Sequence, residues 1–351
     1  MELAAAFRTQ AQACARLGSP MYAELLDRLA ADVAAGGATS QLLRGFEDAP
    51  GPSAVALRLA GSVHRLVLSG RAPALEEFFP SVGGRWDLDA AWPAYASVLD
   101  EQTDTIRPLM SLAPQTNEVG RSAALMGGLL RLVRGHPMPV RLHEIGASAG
   151  LNLRVDAFRH VDDRGDGWGP LESPVVLDPA WQGTALPLTE RVDITDRVGC
   201  DVAPVDPTTP EGRLTLMAYV WPDQAERLAR LAGAMELAVR VPAEVREQDA
   251  AAFVETIGLR EGELTVLWHS IMWQYVPADQ QTRVRDHLAR LGEQATPSAP
   301  LAHLYAEPVR RSPGADREFL VCLERWPGGG ARQVLGRMAP HGLPTTWEEV
   351  A

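Results

Sequence analysis

Between residues 144 and 156 the chain sets Glu144, Gly146, Ser148, Gly150, Asn152 and Asp156 behind the apolar run 140–145. Two glycines four apart, with only Ala147, Ser148 and Ala149 between them, let backbone amides approach a ligand that larger side chains would block. The segment reads as a strand, a tight turn and a helix start, the local arrangement with which an open α/β sheet holds a nucleotide. Asn152 and Asp156, four apart, would share one face of that helix, and capping explains Asn152 as well as ligand contact does. A second constellation, Trp268-His269-Ser270-Ile271-Met272-Trp273-Gln274-Tyr275, begins where another apolar run ends. The C-terminal end of a central strand is where such sheets place their chemistry, so His269 is a candidate general base and Tyr275 a candidate for orienting a substrate. Trp221, Trp268 and Trp273 would form an apolar wall or belong to the core.

The rest of the composition narrows the partner. With 33 basic and 45 acidic residues the net charge is −12, which argues against broad contact with nucleic acid or an anionic membrane and for a small or neutral substrate. Cys14, Cys200 and Cys322 lie far apart without metal-ligand spacing, so neither a zinc site nor a disulfide framework is expected, and no metal is assigned. No signal segment and no apolar run of the roughly 20 residues needed to cross a bilayer is present, which leads to the expectation of a cytoplasmic protein. A homodimer stays open.

The elements that would position these residues fall into two textures. Residues 1–136 carry helical periodicity: the spacing predicts helices around Tyr22–Ala30, closed by Gly36-Gly37, and then Ser53–Leu68, Trp92–Asp104 and Glu118–Val133. From Val140 onward short apolar runs alternate with amphipathic stretches, the pattern of a strand–helix alternation. Strands are expected at 140–145, 173–178, 190–195, 237–241, 264–268 and 301–305, with a closing pair, Phe319–Glu324 and Arg332–Met338, joined by Pro327-Gly328-Gly329-Gly330. Helices are expected at 224–238, 249–257 and 279–291. Residues 156–223 are loop-rich, and loops that long inside a compact domain usually serve as lids or binding insertions.

Glu144-x-Gly146-x-Ser148-x-Gly150 is similar to the first motif of S-adenosylmethionine (SAM) methyltransferases. Over nearly its whole length the chain resembles a bacterial domain-of-unknown-function family, number 2332, grouped with Rossmann-like methyltransferases. The resemblance rests on His64–Leu68 with Phe79–Gly84, on Gln115-Thr116-Asn117-Glu118-Val119-Gly120-Arg121, on Glu144–Leu153 with Asp156, and on Trp268-His269-Ser270 with Gln274-Tyr275. It implies a Rossmann-like SAM methyltransferase sheet over residues 137–351, with an N-terminal helical cap over 1–136. It also implies that Glu144 meets the methionine ammonium while Gly146, Ser148 and Gly150 line the cofactor. A further acid should then accept from the ribose hydroxyls. Asp178 ends the best apolar run but lies 34 residues past Glu144, where about 20 is typical; Asp201 and Asp206 compete with it. Asp249-Ala250 resembles the acidic-plus-small pair near adenine in methyltransferases, and a plain helix N-cap would look the same. Asn117 and Arg121 would hold a substrate carboxylate or close over the cofactor, the other reading being a capping box with Thr116 or Asn117 as cap. On the cap, Arg65 beside His64 could pair with an anionic substrate group. The amino-methylation motif Asn/Asp-Pro-Pro-Tyr and a metal-dependent catechol-type pattern are both missing.

The function expected from these residues is methyl transfer from SAM to a small molecule, driven by proximity and alignment, with His269 as the base. The alternatives are a SAM-fold enzyme of different chemistry, a noncatalytic nucleotide binder, and a serine hydrolase, because Gly146-Ala147-Ser148-Ala149-Gly150 also spells a nucleophile elbow with Ser148 at its apex.

Overall fold

The computed structural model describes residues 3–46, 54–111, 114–135 and 137–349. The chain divides into two compact units, Met1–Thr116 with Thr209–Ala229, and Asn117–Thr208 with Arg230–Ala351.

The first unit is helical: α1 (Leu3–Arg16), α2 (Pro20–Ala35), α3 (Ala38–Leu42), α4 (Val55–Leu68), α5 (Pro73–Glu76), α6 (Leu88–Glu101) and α7 (Thr103–Leu109). Helix α2 shows why the sequence folds this way. The Ser19 side chain accepts from the Tyr22 N–H and Pro20 opens the first turn, while Gly36 closes the helix at φ 73°, a left-handed residue that glycine adopts without steric cost. Tyr22, Leu25, Leu26 and Leu29 recur at three and four and are buried in the unit's core. The expected helix start at Ser53 lies outside the described residues, and the helix expected over 92–104 is two helices, α6 and α7.

A late segment completes this unit. Helix α9 (Pro210–Ala218) brings the Ala218 carbonyl 3.1 Å from His64 Nδ1 and Thr215 Oγ1 2.8 Å from an Arg65 nitrogen. Asp223 accepts from Ser19 Oγ at 2.6 Å and from the Met21 N–H at 3.0 Å.

The second unit is built on one eleven-stranded sheet among the described residues. After α8 (Ser122–Val133) come β1 (Val140–Ile145), β2 (Arg159–Asp162), β3 (Gly167–Trp168), β4 (Val176–Gly183) and β5 (Ile194–Asp201). Helix α10 (Ala225–Arg240) spans the division and is followed by β6 (Glu244–Glu247), α11 (Ala250–Val254), β7 (Leu264–Ser270) and α12 (Ala278–Glu293). The unit ends with β8 (Leu301–Arg310), β9 (Arg317–Trp326), β10 (Gln333–Met338) and β11 (Thr345–Trp347). The strand order is β3-β2-β4-β11-β10-β9-β8-β7-β1-β5-β6. Strands β8, β7, β1, β5 and β6 are parallel, and β9, β10 and β11 continue as an antiparallel meander.

All six residues of β1 are buried, as befits a parallel strand covered on both faces. Glu144 pairs with Trp268 and Trp268 with Leu304, and Leu304 packs so closely on α8 that a Cβ at Gly128 would fall 2.5 Å from it. Leu142 and Glu144 therefore face α8. Ile145 and Leu267 pack instead with Phe253 of α11 and Val284 and Leu288 of α12, so the alternate residues Arg141, His143 and Ile145 face the other way.

Several expectations need correction. The units divide after residue 116 rather than 136, because α8 packs on the sheet; residue 136 lies outside the described residues. The strand expected at 237–241 is the end of α10, whose Ala/Leu/Arg-rich pattern carries on to Arg240. Asn152 and Asp156 do not share an α-helical face, since Leu151–Ala157 is a 3-10 segment kinked at Arg154 (φ −105°). The loop-rich stretch 156–223 holds β2 to β5 and α9. Among the described residues no helix is long and apolar enough to cross a membrane.

Candidate functional site

Glu144, next to last in β1, is 3% exposed, and its Oε2 has no hydrogen-bond partner. Two neighbours are in the same condition, since Asn152 Oδ1 and Trp268 Nε1 are also buried without partners. Burial pushes the Glu144 carboxyl up to about 8, more than the adjoining Asn152, Trp268 and Arg154 pull it down, and Asp201 adds to the rise. A buried carboxyl with one oxygen unpartnered is costly, and a cation placed against it would recover that cost.

The turn that follows alternates in hand, with Gly146 at φ 66°, Ser148 at φ 53° and Gly150 at φ 65°. A left-handed serine persists only where its surroundings hold it. Here Asp201 does so, accepting from Ser148 N at 2.9 Å and from Ala203 N at 3.0 Å. Asn117 Oδ1 accepts from Leu151 N at 2.8 Å, and Asn152 Nδ2 donates to the Glu118 carbonyl at 3.4 Å. Asn117 thus braces the end of the turn.

Of the three acids expected to compete, the structure brings only Asp201 near Glu144, and it places Asp249, expected near the adenine, at the tip of the next strand. Strand β5 pairs with β1 and ends at Asp201; β6 pairs with β5, and Asp249 follows it. Gln248 N donates to the Asp201 carbonyl at 3.0 Å, and Asp249 caps α11 by accepting from Ala252 N at 2.9 Å. Cys200 sits among these acids: burial, with Asp201, Asp249 and Glu144 adding to it, pushes its thiol up to about 12. Asp178 is not there. It is exposed in β4, with five strands between it and β1, because the chain lays down β2 to β4 at the far side of the sheet before returning to pair β5 with β1. Asp206 makes a turn, accepting from Thr208 N at 2.9 Å and Thr208 Oγ1 at 2.6 Å.

The remaining expected residues scatter. Arg121 Nε donates to the Pro340 carbonyl at 3.2 Å and its Nη1 to Ser270 at the tip of β7 at 3.4 Å. Trp221 belongs to the helical unit, 6% exposed in its core with its ring 6.1 Å from that of Tyr22. Tyr275 is 58% exposed, on the 3-10 turn Trp273–Tyr275.

His269 pairs with Tyr305 in register and lies on the face of the sheet opposite Glu144, the α12 face. That geometry removes it as a base working beside Glu144. It joins instead a buried series that sequence reading missed. His269 Nδ1 is 2.8 Å from Glu307 Oε1, its Nε2 is 3.0 Å from His303 Nε2, and His303 Nδ1 is 3.3 Å from Glu324 Oε2. Tyr305 donates its hydroxyl to Glu324 Oε1 at 3.1 Å. The signal was the alternation of His303, Tyr305 and Glu307 with Ala302, Leu304 and Ala306, which puts three polar groups on one face of a strand. No group of three His, Cys, Asp or Glu side chains among the described residues is arranged to hold a metal ion.

Compared with known proteins, the chain matches one family over residues 4–347, described as an uncharacterized protein conserved in bacteria (DUF2332). The chain belongs to this family. No curated protein and no solved structure matches it.

Proposed function

We propose that the protein is a SAM-dependent methyltransferase acting on a small molecule. The observation that carries this reading is the buried Glu144 carboxyl, with its Oε2 unpartnered, beside a turn of three left-handed residues. The order β6-β5-β1-β7-β8 supports it, because it makes β1 the innermost strand of a doubly wound parallel array and puts the ends of β1 and β7 at the change of direction, where such sheets bind nucleotides. Within this reading Glu144 would hold the ligand's ammonium, losing its proton as the cation arrives. Asp201 already spends one lone pair of each oxygen on Ser148 and Ala203, and its remaining lone pairs would accept from ribose hydroxyls. Asp249 would stand near the adenine. The bound cofactor supplies a methyl group attached to a sulfonium; the chain's contribution is to orient it and exclude water.

Calorimetric titration of the full-length protein with SAM and S-adenosylhomocysteine tests this directly. Micromolar binding that falls at least about tenfold in Glu144→Gln is expected, the size of a lost charge-assisted contact; absence of binding to the unaltered protein overturns the reading. One observation favours a second reading, a serine hydrolase: Ser148 has the left-handed backbone that a nucleophile elbow requires. Against it, both ring nitrogens of His269 are already engaged by Glu307 and His303.

A further inference from the structure

On the face of the sheet that carries Arg141 and His143, a cavity of about 300 Å³ lies among side chains of β1, β5, β6 and the end of α11. His143 lines it, is 5% exposed, and has no hydrogen-bond partner on either ring nitrogen. Burial lowers the ring to about 4; Arg141, Arg246 and Arg260 act in the same direction, and Asp196 opposes them. At neutral pH the ring is therefore uncharged and offers one N–H and one lone pair. A buried polar group left without partners is costly, and a ligand in the cavity would recover that cost.

Three guanidiniums meet at the same place. Arg141 Nε donates to Asp196 Oδ2 at 2.9 Å, and its Nη1 donates to the Gly258 carbonyl at 2.7 Å and to Thr265 Oγ1 at 3.4 Å. Arg246 lies over the Phe253 ring at 5.9 Å and gives its Nε and Nη2 to Glu244. Arg260, from the segment leading into β7, gives Nη1 to Asp196 Oδ2 at 3.2 Å. Each arginine keeps at least one terminal nitrogen for a further acceptor. Glu244 and Glu263, the other acids paired with these arginines, do not line the cavity. The pair between Arg246 and Glu244 is exposed to solvent, where such a contact neutralises little. The lining itself holds three cations and one anion.

Asp196 decides which anion fits. The hydrogen bonds from Arg141 and Arg260 both fall on its Oδ2, which leaves Oδ1 able to accept one more. The Arg141 contact holds its carboxyl below the usual range, so at neutral pH it accepts and does not donate. An anion placed beside it is repelled unless that anion brings an O–H of its own. Hydrogenphosphate does. Sulfate, a carboxylate and the dianion of a phosphate ester do not. Three arginines reaching in from three segments also suit the several oxygens of a tetrahedral anion better than the two of a planar carboxylate.

We infer that this cavity is a binding site for inorganic phosphate, in which Arg141, Arg246 and Arg260 hold the charged oxygens, His143 donates to one of them, and Asp196 accepts from the P–OH group. The imidazole proton sits on whichever nitrogen meets the ligand, a choice open to a neutral ring. Glu144 lies on the opposite face of the sheet, so the site stands or falls independently of SAM binding.

Calorimetric titration of the full-length protein, in phosphate-free buffer at about pH 8 with ionic strength held constant by sodium chloride, can compare inorganic phosphate, sulfate and glycerol 3-phosphate. At that pH inorganic phosphate keeps one O–H, whereas a monoester, with its second ionisation at about 6, keeps none. Phosphate should bind saturably, and the other two at least about tenfold more weakly. In NMR of the labelled protein, the His143 ring signals should move along the same isotherm while those of His269 and His303 stay in place. Arg246→Gln, at an exposed side chain, should weaken phosphate about tenfold, and Asp196→Asn should remove the preference for phosphate over sulfate. The comparison of the three ions in the unaltered protein decides even where a variant does not fold. Absence of saturable phosphate binding, either of the other ions binding as tightly, His143 signals that do not move, or an unchanged affinity in folded Arg246→Gln each overturns the inference.

Discussion

The Met272 side chain fills the space over Gly146: a Cβ placed on that glycine would lie 2.9 Å from Met272 Cε and Cγ. The same methionine donates its backbone N–H to Glu307 at 3.0 Å, so one residue touches the glycine turn with its side chain and the histidine series with its main chain. Gly146→Ala would meet both this crowding and a backbone at φ 66°, which L side chains adopt at a cost of about 1–2 kcal/mol. Urea unfolding should show a loss of ~2–3 kcal/mol. Adding Met272→Ala should return the contact part of that loss and leave the backbone part.

Stability should depend on pH through Glu144. Its carboxyl is raised in the folded protein to about 8, against about 4.3 unfolded, so between these values the folded state binds the extra proton. Its contribution is fully present below the unfolded value and is lost as pH rises toward 8. Thermal denaturation of the ligand-free protein should show Tm falling over that interval relative to Glu144→Gln, which cannot titrate. An equal slope in both proteins would remove Glu144 as the cause.

Cation binding at the same carboxyl has a second signature. If an ammonium displaces its proton, titration with SAM near pH 7 should release up to about one proton, giving an apparent enthalpy that changes with the buffer's ionisation enthalpy. Glu144→Gln should show no such buffer dependence from this group.

Asp201 holds the turn by two backbone hydrogen bonds. Asp201→Ala should cost ~1–3 kcal/mol by leaving those N–H groups without their acceptor. Asp201→Asn keeps one carbonyl oxygen and should recover part of the stability while still weakening a ribose-bearing ligand, which calorimetry against adenosine can measure.

Trp221 gives the opposite pattern. Its place in the helical core makes Trp221→Ala a cavity-forming substitution worth ~3–5 kcal/mol of stability. Below the unfolding transition its SAM affinity should match the unaltered protein within a factor of about two, a difference too small to be a lost contact.

Elements with strong local periodicity were legible in the sequence. The run at 140–145 is β1, 264–268 grows by two residues into β7, and the glycine-rich tip joins β9 to β10 as expected. What escaped depends on which strands become neighbours. Asp178 had the better apolar run behind it, yet Asp201 reaches the tip beside Glu144 because β5 pairs with β1. The strand expected to stop near Thr195 runs on to Asp201; Arg197 offered no apolar signal, its guanidinium being held by Asp156 at 2.6 and 2.7 Å. His303 and Glu324 likewise meet His269 only through the register of three strands. That pairing is a long-range property to which a window of ten residues is blind.

The helical unit is closed by residues 209–229, with 117–208 intervening. During synthesis the first 116 residues leave the ribosome without Asp223 to receive Ser19 and Met21, and without Ala218 to receive His64. The nascent chain must therefore carry an exposed, unfinished helical core while much of the sheet is still being made. That is the interval in which a growing chain is most open to capture by chaperones or to association with its neighbours on the same message.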